Sequence, residues 1–288
     1  MRLFGPRTLG LALGGGSARG LAHIGVLKVL DAEGLAPDIL TGTSMGAVVG
    51  ALYAAGMTPA EIETIALGLD MKGLLGLADV AIRKGAMLSG DRIEAFLAER
   101  LPATFEELSR PFGCVATDLT RGTVAEFTSG DLVTAVRASM SVPLVFVPVR
   151  TNDALYVDGF VTEPVPVSLA QRLGAEVVAA VEVAGSGTVT LGSADEKEQG
   201  LIKTLHGALA GEESWKRGTS SLEIAVATLE TFERRITEAS IADADLVISP
   251  EVHGVSGFEF MAAERIIAAG EVAARGAVEQ VRRKTRRR

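Results

Sequence analysis

One pentapeptide constrains this chain more than any other: Gly42-Thr43-Ser44-Met45-Gly46. A predicted short strand, Asp38 to Leu40, precedes it. A run of small residues, Ala47 to Ala55, follows and is closed by Gly56. A strand that feeds a helix this abruptly needs a turn too sharp for bulky neighbours. The G-x-S-x-G pattern puts glycine on both flanks and leaves the serine hydroxyl exposed at the start of the helix. Two readings of Ser44 follow. It is a nucleophile, or it is the N-cap of a tight strand-to-helix turn.

A second glycine cluster, Gly14-Gly15-Gly16-Ser17-Ala18-Arg19-Gly20, lies between a predicted strand, Thr8 to Leu13, and a predicted helix, Leu21 to Ala32. Leu21, Ile24, Leu27 and Leu30 recur at helical spacing, and Gly34 ends the helix. Backbone N–H groups gathered before a helix form an anion site. Three anions compete for it. A dinucleotide pyrophosphate asks for G-x-G-x-x-G, and the best register, Gly15 to Gly20, has Ser17 in place of the middle glycine. A P-loop needs Gly-Lys followed by Ser or Thr, which neither turn contains. The oxyanion of an acyl-transfer intermediate would be met by the N–H groups of Gly15, Gly16 and Ser17, each such donor contributing roughly 3 kcal/mol. Arg19 adds positive charge there or ties the loop down.

Composition narrows the class. The chain has 288 residues, 48% hydrophobic and 22% charged, so it is too apolar for intrinsic disorder. Its 33 glycines show no three-residue period, which excludes a collagen-like chain. One cysteine, Cys114 in an apolar run, excludes a disulfide framework and reads as core. The net charge of −8 hides an asymmetry. Six basic side chains lie in 282–288, which leaves the body at −14. An acidic body disfavours nucleic acid as a partner. The basic tail reads as a solvated helix end or as a contact with anionic lipid headgroups. The apolar stretch near Met1 is too short for a signal sequence and lacks a cleavage site, and no run is long enough to span a membrane. A cytoplasmic protein, or one peripherally associated with a membrane, is expected.

Short strands alternate with helices along the chain, which predicts one α/β domain. Thr58-Pro59-Ala60-Glu61 opens a helix with a capping box. The apolar, glycine-punctuated segment 62–88 reads as a buried layer or as a lid over an acyl groove. Strands are predicted at Phe112 to Thr117, Thr123 to Phe127 and Val177 to Val183, with a hairpin of Leu144 to Val149 and Leu155 to Val157. Gly185 to Gly200 reads as a loop, 201–238 as helical, Ala244 to Ser249 as a last strand and Glu259 to Lys284 as a final helix.

A serine nucleophile needs a base. His206 and His253 fit the chain order Ser, Asp, His, and His253 follows a strand. His23, one turn into the first helix, reads as packing or capping locally. Asp118, Asp158 and Asp245 fall at predicted strand ends. Asp158-Gly159 stands out, because glycine permits close approach to the nucleophile turn.

The glycine loop, His23-Ile24-Gly25-Val26-Leu27, Gly42-Thr43-Ser44-Met45-Gly46 and Asp158-Gly159 together resemble the patatin-like phospholipases, the bacterial branch in particular. The resemblance covers residues 8 to 183, with a weaker echo over 242–250. It implies a three-layer α/β/α hydrolase-like fold with a mostly parallel central sheet, in a single domain over 1–281 followed by the tail. It implies a Ser–Asp dyad without histidine, carried by Ser44 and Asp158, which displaces His253 as the base. The oxyanion hole falls to Gly15, Gly16 and Ser17, supported by Gly14, Arg19, Gly20, Gly42, Gly46 and Gly159. Met45 and Phe160 are expected at the substrate pocket. Substrates are acyl esters of lipids, phospholipid or lysophospholipid, and no metal or cofactor is expected.

The chain departs from the family pattern at three places. Ser17 stands where a glycine is usual. Phe160 replaces a small residue after Asp158-Gly159. The asparagine pair often found downstream is absent. Two other classes stay open: a lipid-binding or regulatory protein of the same fold, and a dinucleotide-binding oxidoreductase.

Overall fold

The computed structural model describes residues 6–68, 88–151, 153–184, 221–252, 254–255 and 259–287. Outside them lie 69–87 of the expected lid segment, the Gly185 to Gly200 loop, the first part of the 201–238 helix, His206 and His253.

The most apolar runs form parallel strands. They are β1 (Leu9–Leu13), β2 (Ile39–Thr43), β3 (Phe112–Asp118), β7 (Val177–Val181) and β8 (Leu246–Ile248). β4 (Thr123–Phe127), β5 (Val149–Arg150) and β6 (Leu155–Asp158) complete a mixed sheet. β2 and β7 flank β1 in parallel, β3 lies beyond β2, and β8 lies beyond β7. β4 and β6 both run antiparallel to β3, and β5 pairs antiparallel with β6.

Alternation sends side chains to two faces. Leu9, Leu11, Leu13, Val177, Ala179 and Val181 join the larger core. Helices α1 (Ala22–Ala32), α2 (Met45–Ala54) and α8 (Ala263–Thr285) contribute to that core. Ala12, Val178 and Ala180 face a smaller core shared with α6 (Val167–Arg172). The result is three layers, as the resemblance implies. Between α1 and α8 the backbones nearly touch. A Cβ on Gly25 would sit 2.0 Å from Ile267 O, and one on Gly270 would sit 1.9 Å from Ala22 O.

The remaining described helices are α3 (Pro59–Gly68), α4 (Asp91–Ala98), α5 (Leu132–Ser139) and α7 (Ser221–Ser240). The capping box forms at α3. Thr58 N–H donates to Glu61, and Glu61 N–H donates to Thr58 Oγ1. Cys114 is fully buried in β3, and desolvation pushes its thiol far up, as befits a core residue. No described helix is long and apolar enough to cross a membrane.

Two local expectations change. β2 runs on to Thr43, beyond the expected end at Leu40, and α2 starts at Met45, so the turn is Ser44 alone. Leu144 to Val149 does not form one strand. Pro143 cannot donate, Leu144 takes a positive φ of 70°, and Val145 and Phe146 both turn back onto Val142 O. Only Val149–Arg150 pairs with β6.

The basic segment 282–288 begins inside α8, whose last turn holds Arg282, Arg283 and Lys284. Arg282 pairs with Glu33, Lys284 with Asp245 and Arg287 with Glu176. Glu176 and Asp245 immediately precede β7 and β8, so Lys284 and Arg287 lie at the N-terminal ends of parallel strands.

Candidate active site

One register brings the two motifs together. β3 is paired along one edge by β4, over Cys114 to Asp118. Its other edge is shared. β2 occupies it as far as Val115, opposite Thr43, and β6 takes over at Ala116, opposite Asp158. β2 runs parallel to β3 and β6 runs against it, so the two strands meet end to end. Ser44 leaves the tip of one and Asp158 is the tip of the other.

Ser44 holds φ 54° and ψ −120°, a conformation that costs a residue with a Cβ of order 1–3 kcal/mol. Gly46 permits it. A Cβ there would lie 2.2 Å from Leu13 O, where β1 ends. Ser44 does occupy the N-cap position of α2, and its carbonyl accepts from Ala47 and Val48 N–H. Its hydroxyl, however, does not cap the helix. Ser44 Oγ donates to Asp158 Oδ2 at 2.6 Å.

Asp158 is fully buried. Its Oδ1 accepts from Phe160 N–H at 3.0 Å, and its own N–H donates to Ser141 O at 2.9 Å. Its carbonyl accepts from Thr117 Oγ1. Burial pushes the carboxyl up to about 8, against the opposing pull of Phe160 N–H and the Ser44 hydroxyl. Gly159 is required where it stands, because a Cβ would lie 2.5 Å from Val115 O. Phe160 is buried, its backbone supports Asp158, and its Cβ lies 3.6 Å from where a Cβ on Gly15 would be. Met45 is half-buried. It packs on the core and against Gly20, where a Cβ would lie 2.6 Å from Met45 Cβ.

The glycine loop is more committed than its sequence suggests. Gly14 N–H donates to Val181 O, and Gly15 N–H donates to Pro164 O at 2.9 Å. The N–H of Gly15, one of the expected oxyanion donors, is therefore already engaged within the protein. Gly16 and Ser17 remain, with no acceptor for their N–H groups among the described residues. Gly16 has φ 156°, and a Cβ there would lie 2.7 Å from Val183 Cγ2. Ser17 has φ 50°, so the departure from glycine falls where the backbone favours one. Arg19 is buried. Its N–H and, more weakly, its Nε meet Gly16 O, and Nη1 donates to Ala184 O, so it ties the loop down. The loop passes into a 3-10 turn, Ser17–Leu21, before α1 begins, unlike the direct strand–turn–helix passage of a dinucleotide site.

Three residues here, Ser139, Arg137 and Glu233, carried no motif signal, and His23 carried one without an assigned role. Ser139, the last residue of α5, accepts from Ser44 N–H at 2.9 Å. Arg137 is buried, with Nη1 donating to Ser141 Oγ and Nη2 to Ser89 O, which steadies the carbonyl that receives Asp158 N–H. Glu233 of α7 is 5% exposed, and its Oε1 lies 3.3 Å from where a Cβ on Gly15 would stand. Ser44 Cβ lies 3.6 Å from that same point, so a second carboxylate stands beside the dyad and adds a smaller upward push on Asp158. His23 is fully buried and bonds to Gly14 O at 2.8 Å, so its side chain reaches back to the loop. The other candidate bases lie elsewhere. Asp118 pairs with Arg121, and Asp245 accepts from Val178 N–H.

Known proteins are similar to this chain. The patatin-like phospholipase family model matches residues 11–170. An uncharacterised NTE family protein of Mycobacterium bovis is 37% identical over 182 residues, which cover 63% of this chain and 50% of that one. Lysophospholipase NTE1 of Coccidioides immitis is 31% identical over 242 residues, covering 83% of this chain and 15% of that one. The chain thus spans half or less of these two relatives. In fold it is similar to VipD of Legionella pneumophila, with a TM-score of 0.50 at 15% identity over 96% of this chain and 67% of that one. The family match, both glycine turns and the three-layer sheet agree, and the chain belongs to the patatin-like phospholipase family.

Proposed function

We propose that this chain is a serine acyl hydrolase that cleaves carboxylic esters of lipids, phospholipid or lysophospholipid, through Ser44 and Asp158. The observation that carries this reading is the 2.6 Å hydrogen bond from Ser44 Oγ to Asp158 Oδ2, formed by a serine on a strained strand-to-helix turn. Family membership and the lysophospholipase similar over 242 residues support the substrate class.

Ionised Asp158 takes the Ser44 proton as Oγ attacks the ester carbonyl carbon. The former carbonyl oxygen becomes an oxyanion and is met by Gly16 and Ser17 N–H. The C–O bond to the alcohol breaks, and the alcohol leaves with the proton that Asp158 held. Asp158 then takes a proton from water, the hydroxide attacks the acyl-Ser44 carbonyl, and the fatty acid departs as Ser44 recovers its proton.

Covalent labelling by a fluorophosphonate tests the assignment. Wild type should label and hydrolyse a lysophospholipid. Ser44→Ala should do neither, and Asp158→Asn should label far more slowly. Equal labelling of wild type and Ser44→Ala would overturn Ser44 as the nucleophile.

A further inference from the structure

The loop that supplies Gly16 and Ser17 N–H is fastened at its base from inside the protein. In a trans peptide the carbonyl and the following N–H point opposite ways. The Gly14–Gly15 peptide is held at both ends. Its N–H donates to Pro164 O at 2.9 Å, and its carbonyl meets His23 Nε2 at 2.8 Å. A carbonyl only accepts, so the ring carries its hydrogen on Nε2. The same carbonyl borders the nucleophile turn, since a Cβ on Gly46 would lie 2.7 Å from Gly14 O. Gly14 O therefore stands between His23 on α1 and the turn that presents Ser44.

A packing role alone does not account for this imidazole. His23 is wholly buried, and its Nδ1 has no hydrogen-bond partner among the described residues. A buried acceptor left unpaired costs about 1–3 kcal/mol. An apolar ring of similar shape would carry no such cost, but it could not donate to Gly14 O. Burial also holds the ring neutral, down to about 4.

We infer that His23 is a positioning residue of the hydrolase: its Nε2–H holds the Gly14 carbonyl and so sets the glycine loop against the nucleophile turn. The inference rests on the hydrolase reading above. Without this bond the Gly14–Gly15 peptide is held through its N–H alone, its carbonyl is released, and the next two N–H groups shift with it. A displacement of 1 Å in such a group costs about a hundredfold in rate.

Steady-state hydrolysis of a soluble p-nitrophenyl ester, with fluorophosphonate labelling in parallel, tests it. His23→Phe should lower kcat by about 10- to 100-fold with KM within about twofold, and labelling should slow in step. His23→Gln places an N–H at similar reach and should recover most of the loss. Unchanged kcat in His23→Phe would overturn the inference. So would a His23→Gln variant impaired as deeply as His23→Phe with a raised KM. Nitrogen-15 NMR of wild-type histidine is a readout independent of variant folding: Nε2 should be protonated and Nδ1 bare at neutral pH, and an Nδ1–H tautomer or an imidazolium overturns the inference. An inert wild type would defeat the hydrolase reading itself, whereas an active wild type indifferent to His23→Phe defeats only this step.

Discussion

The two ends of the sheet use carboxylates in opposite ways. At the N-terminal end one device recurs three times. Asp38, Glu176 and Asp245 stand just before β2, β7 and β8. Each accepts a backbone N–H in or just before a strand, from Leu9, Thr8 and Val178 respectively. Each returns its own N–H to the carbonyl of that same residue. Arg287 joins Glu176 and Lys284 joins Asp245. These carboxylates complete the ladder where strands begin, and the basic segment is drawn in around two of them. At the C-terminal end Asp158 is buried instead, accepts from Ser44 and Phe160, and is pushed toward its neutral form. One end uses acids to finish secondary structure. The other buries an acid in a place that does not favour its charge.

That contrast can be broken most forcefully at Asp158. Asp158→Asn should reduce ester hydrolysis by roughly a thousandfold or more, since nucleophile and base act as a unit. It should also raise the melting temperature above pH 8, where wild type must keep a buried carboxylate ionised. A variant that loses activity and melts lower across the whole pH range would erase the difference between the two ends.

The pH dependence should also split. Asp158 must be ionised to act, so kcat/KM should rise with pH through about 8. The stability linked to Asp158 has the opposite slope. Its folded value is raised, so its contribution is full below the ordinary carboxylate range and is lost as pH rises through about 8. Glu176 is lowered, first by Thr8 N–H and then by Arg287, so its contribution is present above the ordinary range and is lost on acidification. Denaturant titrations of Asp158→Asn and Glu176→Gln across pH should diverge in these two directions.

Glu233 gives a smaller lever on the same end. Glu233→Gln removes a charge facing Asp158, so the rising limb of the kcat/KM profile should move to lower pH. A profile that stays in place would show that Glu233 does not act on the dyad. At the other end, Asp245→Ala should cost about 1 kcal/mol of stability, leaving Val178 N–H short of an acceptor, with activity unchanged. The smallest effect is expected at Ser17. Ser17→Gly relieves a left-handed serine, worth about 1–2 kcal/mol, against about 0.4–1 kcal/mol of added chain entropy. A net gain of about 0.5 kcal/mol should appear in chemical denaturation.

Much of the candidate site was legible in sequence because it is local. Gly42 to Gly46 and Asp158-Gly159 announce turns, and steric demands on a turn act within a few residues. What the sequence hid is the nonlocal part. No spacing reveals that β2 and β6 share an edge of β3, or that Pro164 takes Gly15 N–H. Ser139 and Glu233 sit on ordinary helical patterns, and their roles exist only where those helices end up. The failed strand from Leu144 shows the reverse. Its apolar run looked like β-structure, but Pro143 and a positive φ redirected it into a turn.

The shared edge of β3 has a consequence for how this protein can vary. Because the dyad spacing is set by where two strands stop, it is governed by main-chain register rather than by side-chain packing. Sliding β6 by one residue would carry Asp158 about 3.4 Å along β3 and turn it to the opposite face. The tip between β5 and β6 bears no such restriction, since extra residues there need not alter the register of either strand. Length changes should therefore be tolerated at the hairpin tip and rejected within β6, though only a few positions separate the two.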